Sequence, residues 1–174
     1  MNKTRKHQKF PLVKLPRHGG GALRPTLIPA NHKDILQKAD RLYHFLKSLR
    51  YEKEHQLRTR MKTTERIFRD VRGKWISHIQ DDECRLFPLV RKHFPRLVSA
   101  VRFLQTKYKE TKVNLEVFEF LLWELPREKV QWKRKRTVEI LRDKGLRLVS
   151  LMRHYLKEEE SIHTTVNRES THGK

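Results

Sequence analysis

A single cysteine, Cys84, is all the thiol in the chain, which excludes a disulfide framework and a cysteine-ligated zinc site. No apolar run approaches the ~20 residues a membrane helix needs, so no transmembrane segment is expected. Glycine is scarce, with 6 residues, and Pro11, Pro16, Pro25 and Pro29 place most of the 7 prolines near the start. Long stretches beyond them are therefore free of helix breakers. Gly19-Gly20-Gly21 has no strand pattern before it and does not make a phosphate loop. No nucleophile motif with a base partner is present either, so no enzyme class is indicated. Acidic residues are also few, 20 Asp and Glu against 41 Lys and Arg, which leaves a net charge of +21.

What is present is a basic arm followed by a helical pattern. Residues 1–33 carry Lys3, Arg5, Lys6, Lys9, Lys14, Arg17, Arg24 and Lys33 with no acid, a charge of +8. Prolines and the glycine triplet argue against regular structure there, and the charge suits contact with phosphates. Phe10-Pro11-Leu12-Val13 is too short an apolar run for a secretory signal, so the cytoplasm is the expected compartment. An organellar address in the basic start is the other reading.

From Asn31 onward four helices are expected. Asn31 is a good N-cap, and the first stripe is Ile35, Ala39, Leu42, Leu46 and Leu49. The second helix runs roughly to Arg91 on Leu57, Met61, Thr64, Phe68, Val71, Trp75, Ile79 and Leu86. Pro95 opens the third, on Leu97, Val101, Leu104, Tyr108, Thr111, Leu115, Phe118 and Leu122, and Pro126 stops it. The fourth spans about Glu128 to Ile162 on Val138, Leu141, Leu148, Leu151, Tyr155 and Ile162. Such spacing over four long segments with short connections predicts an all-α, antiparallel up-down-up-down four-helix bundle with an irregular basic arm. The expected divisions are an arm at 1–30, a bundle at 31–165 and a polar tail at 166–174.

Polar residues interrupt these stripes in pairs. His78 and Asp82 lie one turn apart on the second helix, and His154 and Glu158 repeat the spacing on the fourth. An imidazole and a carboxylate one turn apart can hold one metal ion together, and bundle cores build such sites from inward-facing helices. In an up-down-up-down bundle, His32, His78/Asp82 and His154/Glu158 fall toward the same end, and His55 falls at the other. His44, His93 and His163 have no carboxylate in that register and are expected at the surface or in turns. Glu159 and Glu160 are expected to be solvated, and Cys84 to be a small core residue.

The segment His78-Ile-Gln-Asp-Asp82-Glu83-Cys-Arg-Leu86-Phe87-Pro88 resembles the H-x3-E-E-x2-L-F-P signature of hemerythrin-like cation-binding domains. His154-Tyr-Leu-Lys-Glu158-Glu159 resembles the second copy of that motif, and His32 the first-helix histidine. The resemblance covers roughly residues 30–165 and extends to the di-iron iron–sulfur-cluster repair proteins of that family. It implies one or two non-haem iron ions, with a sensing, storage or diatomic-ligand role. The candidate ligands are His32, His78, Asp82, His154 and Glu158, with Tyr108 and Glu83 as substitutes. The third helix lacks the family's histidine, with Tyr108 at the core-facing position, and Asp82 stands where the family has glutamate.

A second constellation is Trp132-Lys133-Arg134-Lys135-Arg136, early in the fourth helix. With the arm it suggests attraction to RNA or a ribonucleoprotein through phosphates. Along the sequence, aromatic residues are not interleaved with the cations as stacking platforms require. An RNA-binding accessory protein that uses the bundle as scaffold is thus the reading from a different functional class.

Overall fold

The computed structural model describes residues 31–172, with side chains described for 32–169. The arm and its cations Lys3, Arg5, Lys6, Lys9, Lys14, Arg17 and Arg24 lie outside the described residues. Within them every regular element is helical: α1 (Asn31–Ser48), α2 (Glu54–Asp81), a π-helical turn (Asp82–Leu86), α3 (Phe87–His93), α4 (Val98–Glu124) and α5 (Gln131–His172). Short 3-10 turns at Pro95–Leu97 and Leu125–Arg127 bracket α4. Both contain proline, whose fixed φ suits a helix start and whose missing N–H ends a ladder.

Side-chain contacts fix the helix directions. Arg60, early in α2, donates to the Ser48 carbonyl at the end of α1 (3.3 Å). Along α1 and α5 the pairing runs from His32–Glu159 to Asp40–Arg153 (2.6 Å) and then to Leu46 beside Gly145. On α4 and α5 it runs from the 2.8 Å pair of Arg96, just ahead of α4, with Glu169 to Phe118 beside Gly145. Phe68 meets Phe118 with ring centroids 4.8 Å apart, and Arg91 meets Gln105 at 2.9 Å, which orients α2 and α3 against α4. Each long helix runs opposite to both neighbours, so α1, α2, α4 and α5 form an antiparallel bundle.

The stripes read from the sequence supply most of the core. All of Ile35, Ala39, Leu42, Leu46 and Leu49 are buried, as is every member of the α2 row from Leu57 to Leu86. With no glycine near its end, α1 is closed by Arg50, whose guanidinium donates to the carbonyls of Lys47 and Leu49 (2.9 Å each). Three differences bear on the site. The second helix is not uniformly α: at Asp82–Leu86 it widens, and the Phe87 N–H reaches the Asp82 carbonyl. The fourth helix continues to His172 with Val166 buried, where a polar tail from 166 was expected. Its buried row passes through Gly145, Leu148, Met152, Tyr155, Glu159, Ile162 and Val166, while Leu151 is only half-buried.

Gly145 explains how close the helices come. A Cβ there would meet Leu46 Cδ1 on α1 and the Phe118 ring on α4. The missing side chain lets α5 settle between its two neighbours and fixes its rotation about its own axis.

Candidate functional site

That rotation selects which polar residues of α5 are buried. Glu159 is fully buried and His163 nearly so, whereas His154 is exposed and Glu158 half-exposed. His154 and Glu158 do not join the cluster, because the row facing α1 and α2 lies one residue over from the expected one. The structure brings together His32 from the first turn of α1, His78 from the last turn of α2, and Glu159 and His163 from α5. Asp82 opens the π turn and stands beside His78.

The Glu159 carboxylate is the hub. Its Oε2 lies 2.8 Å from His78 Nε2 and its Oε1 lies 2.9 Å from His163 Nε2. His32 Nε2 is 3.2 Å from the same Oε2 but is not aligned for a hydrogen bond, so this buried nitrogen lacks a partner. One ligand atom each from His32, His78 and Glu159 falls within 4.8 Å of the others. The His32 and His78 rings meet edge-on with centroids 4.9 Å apart. Trp75 and Tyr155 wall the site, 5.1 Å between centroids, and the Tyr155 hydroxyl donates to Asp82 Oδ2 at 3.2 Å. Asp82 Oδ2 is 3.6 Å from His78 Nε2, too far for a direct hydrogen bond.

Burial and mutual charge set the protonation of this group. Burial pushes Glu159 upward, yet the facing nitrogens of His163, His32 and His78 outweigh it and hold the carboxyl well below the usual range. Burial would lower His78, but the bond to Glu159 and the charges of Glu159, Asp82 and Asp81 raise it. Asp82 moves the other way from Glu159, up to about 8, through burial first and then the Glu159 charge, with His78 and Tyr155 opposing. Tyr155 is raised by burial and by the neighbouring carboxylates. At neutral pH the site therefore holds one ionised carboxylate, Glu159, and one carboxyl that keeps its proton, Asp82. Glu159 presents two oxygens to three imidazoles, the kind of donor set that iron, zinc and copper favour.

The remaining expected residues lie elsewhere. Tyr108 is half-buried on α4, where burial and the charge of Glu83 raise its pKa. Glu83 and Cys84 are exposed on the π turn, so Cys84 is not a core residue. Lys133, Lys135 and Arg136 are exposed, but Arg134 turns inward and donates to the Glu128 carbonyl through Nε (2.9 Å) and Nη2 (2.7 Å). Glu159 and His163 had been expected in solvent, yet a signal for them exists in the sequence. Val149, Met152, Leu156, Glu159, His163 and Val166 form one row at spacings of three and four, and four of the six are apolar.

Among the described residues, no helix is long and apolar enough to cross a membrane. Comparison of the chain with family models, with curated proteins and with solved structures finds no match.

Proposed function

We propose that the chain is a hemerythrin-like metal-binding bundle that holds a single non-haem ferrous ion between α1, α2 and α5. The observation that carries this reading is the convergence of His32, His78 and Glu159 ligand atoms within 4.8 Å in the bundle interior. Two imidazoles and one carboxylate from different helices are the donor set of mononuclear non-haem iron sites with open positions. His163 would add a third imidazole, and Asp82 a carboxyl held in reserve beside His78. The unpartnered Nε2 of His32 supports the fit, because a buried nitrogen with no protein partner is costly unless something else meets it.

The donor set also limits the proposal to one ion. A carboxylate-bridged pair of irons draws on ligands from all four helices, and α4 contributes no histidine here. The order of the α5 pair, Glu159 before His163, is the reverse of the second family motif. A bound ferrous ion would supply open coordination positions suited to a small diatomic ligand. Trp75 and Tyr155 would exclude water from that face, and Tyr155 would keep the Asp82 carboxyl oriented through its hydrogen bond.

Metal content of protein purified without chelators tests the reading. One iron per chain is expected, lost on His78→Ala and Glu159→Gln and retained on His154→Ala. A chain that stays metal-free after anaerobic incubation with ferrous salt would overturn it. The cluster would then be a buried polar network in which histidine N–H groups satisfy Glu159.

A further inference from the structure

The other end of the bundle carries a different chemistry. On α4, Val113, Val117, Phe120 and Trp123 are exposed, although the same helix already buries Val101, Leu104, Leu115, Phe118 and Leu122. An apolar surface on both sides of one helix points to something that covers the outer side. Phe120 and Trp123 stand with ring centroids 6.1 Å apart and planes only 30° from parallel, each more than half exposed. Trp132 is exposed where α5 begins, with the Lys133 ammonium 5.7 Å from its ring centre.

Cations surround these rings. The Arg127 guanidinium lies 3.9 Å above the Trp123 ring and also donates to the Trp123 carbonyl, with no carboxylate partner among the described residues. Trp123 and Arg127 form one wall of an open cleft of roughly 400 Å³ between α2 and α4, and Arg69 and Arg72 form the other. Arg72 buries its Nε without a hydrogen-bond partner. Two glutamates also line the cleft, but each already faces an arginine: Glu65 at 2.7 Å from Arg69 and Glu119 at 3.6 Å from Arg72. The cleft therefore stays net positive, and Lys133, Lys135 and Arg136 are exposed in the first turns of α5.

We propose that this end of the bundle binds single-stranded nucleic acid, with bases stacking on Trp123 and Phe120 and phosphates taken by Arg127 and the exposed cations that open α5. Exposed aromatic rings are sequence-tolerant platforms for bases, and cations beside them track the backbone. Arg127 occupies one face of Trp123 and would extend the stack from beneath, as guanidinium planes do. Charge complementarity selects this occupant over a second copy, since two chains of +21 repel each other. Geometry favours it over a lipid surface at Trp123, which lines a concave cleft and is partly capped by a guanidinium.

The test uses the full chain, with a labelled single-stranded oligouridylate followed by fluorescence anisotropy and by tryptophan quenching. Binding that quenches tryptophan is expected, with a duplex of equal charge competing poorly because its bases are already stacked. The double variant Phe120→Ala/Trp123→Ala changes no charge and alters exposed side chains only, so helicity should persist while affinity falls roughly ten-fold or more. Arg127→Gln should reduce the log–log salt slope by about 0.7, the share of one phosphate on a single strand. Chelator treatment should change none of these results, which separates this site from the iron reading. Wild-type affinity in the double variant would overturn the proposal and leave binding to charge alone. It would equally fail if the aromatic variants abolish sedimentation with phosphatidylglycerol vesicles, or dissociate a dimer, while oligouridylate binding stays intact.

Discussion

The two ends of this bundle use opposite charges side by side, and burial makes them different objects. At the histidine end, Glu159 is fully buried among three imidazoles, and the nitrogens facing it hold its carboxyl well below the usual range. At the aromatic end, the Glu65–Arg69 pair is as short, at 2.7 Å, but its side chains are 54% and 75% exposed. Water screens that pair, and it contributes little to stability. Ion pairing alone therefore does not mark a site. The histidine end is a tightly coupled interior group, and the aromatic end is an open surface held loosely enough to accept something else.

The sharpest way to break this comparison is to remove the hub. Glu159→Ala strands the histidine nitrogens that face it in the core. Loss of one partner from a buried charged network costs about 3–5 kcal/mol, measurable as a shift in the urea midpoint. Glu158→Ala, one residue away but half-exposed, should cost no more than about 0.5 kcal/mol. Similar losses in the two variants would mean that α5 is rotated from the position described.

A smaller effect is expected midway between the ends. Gly145→Ala places a methyl against Leu46 and Phe118 in a closed core, and overpacking of this kind costs about 1–3 kcal/mol. Because the added group pushes α5 away from α1, the variant should also loosen the Glu159–His32 approach. Thermal unfolding and metal affinity should therefore fall together. A variant that unfolds earlier but holds iron as before would uncouple the helix spacing from the site.

The pH dependence of metal-free protein sharpens the same contrast. Folded Asp82 keeps its proton up to about 8, while the unfolded chain releases it near 3.8. Between those values the folded state binds more protons, so stability is greatest at the acid side of the window and declines as pH rises. The raised His78 acts in the same direction, its contribution present below its ordinary value of 6.5 and lost as pH climbs through the folded value. Glu159, held low, works oppositely, and its contribution is lost only as pH falls below 4.5 toward its folded value. Denaturation titrations from pH 5 to 8 should show declining stability that Asp82→Asn flattens. A slope unchanged in Asp82→Asn would place the titrating group elsewhere.

The smallest effect belongs to the open end. Trp123→Ala removes a large but exposed ring, and its stability should change by no more than about 0.5 kcal/mol. A loss of several times that amount would show that Trp123 serves the core and not a ligand.

Much of this is legible in the sequence. The rows on α1 and α2 are buried from end to end, because regular spacing of apolar residues leaves a helix only one face to bury. His32, His78 and Asp82 were legible for the same reason: they lie on or beside those unambiguous rows. The aromatic cleft was not, since Arg69 and Arg72 come from α2 and Trp123 and Arg127 from the end of α4 or just past it. No local sequence pattern announces a surface assembled from segments about fifty residues apart.

The fourth helix marks the boundary between the two kinds of information. Its sequence alone determines an amphipathic helix anchored on Leu148, Tyr155 and Ile162, which are shared by two rows of equal spacing. One row adds Leu151 and Glu158, with His154 beside it; the other adds Met152 and Glu159, with His163 beside it. Each offers a hydrophobe, a carboxylate and a histidine, and only the flanking Val149, Leu156 and Val166 weight the second row. The tertiary structure chose between them at contacts such as Gly145, whose bare backbone lies against Leu46 and Phe118. Once that contact sets the rotation of the helix, Glu159 and His163 turn inward and His154 is left in solvent. Periodicity fixes which residues share a face, but only packing against the neighbouring helices fixes which way that face points.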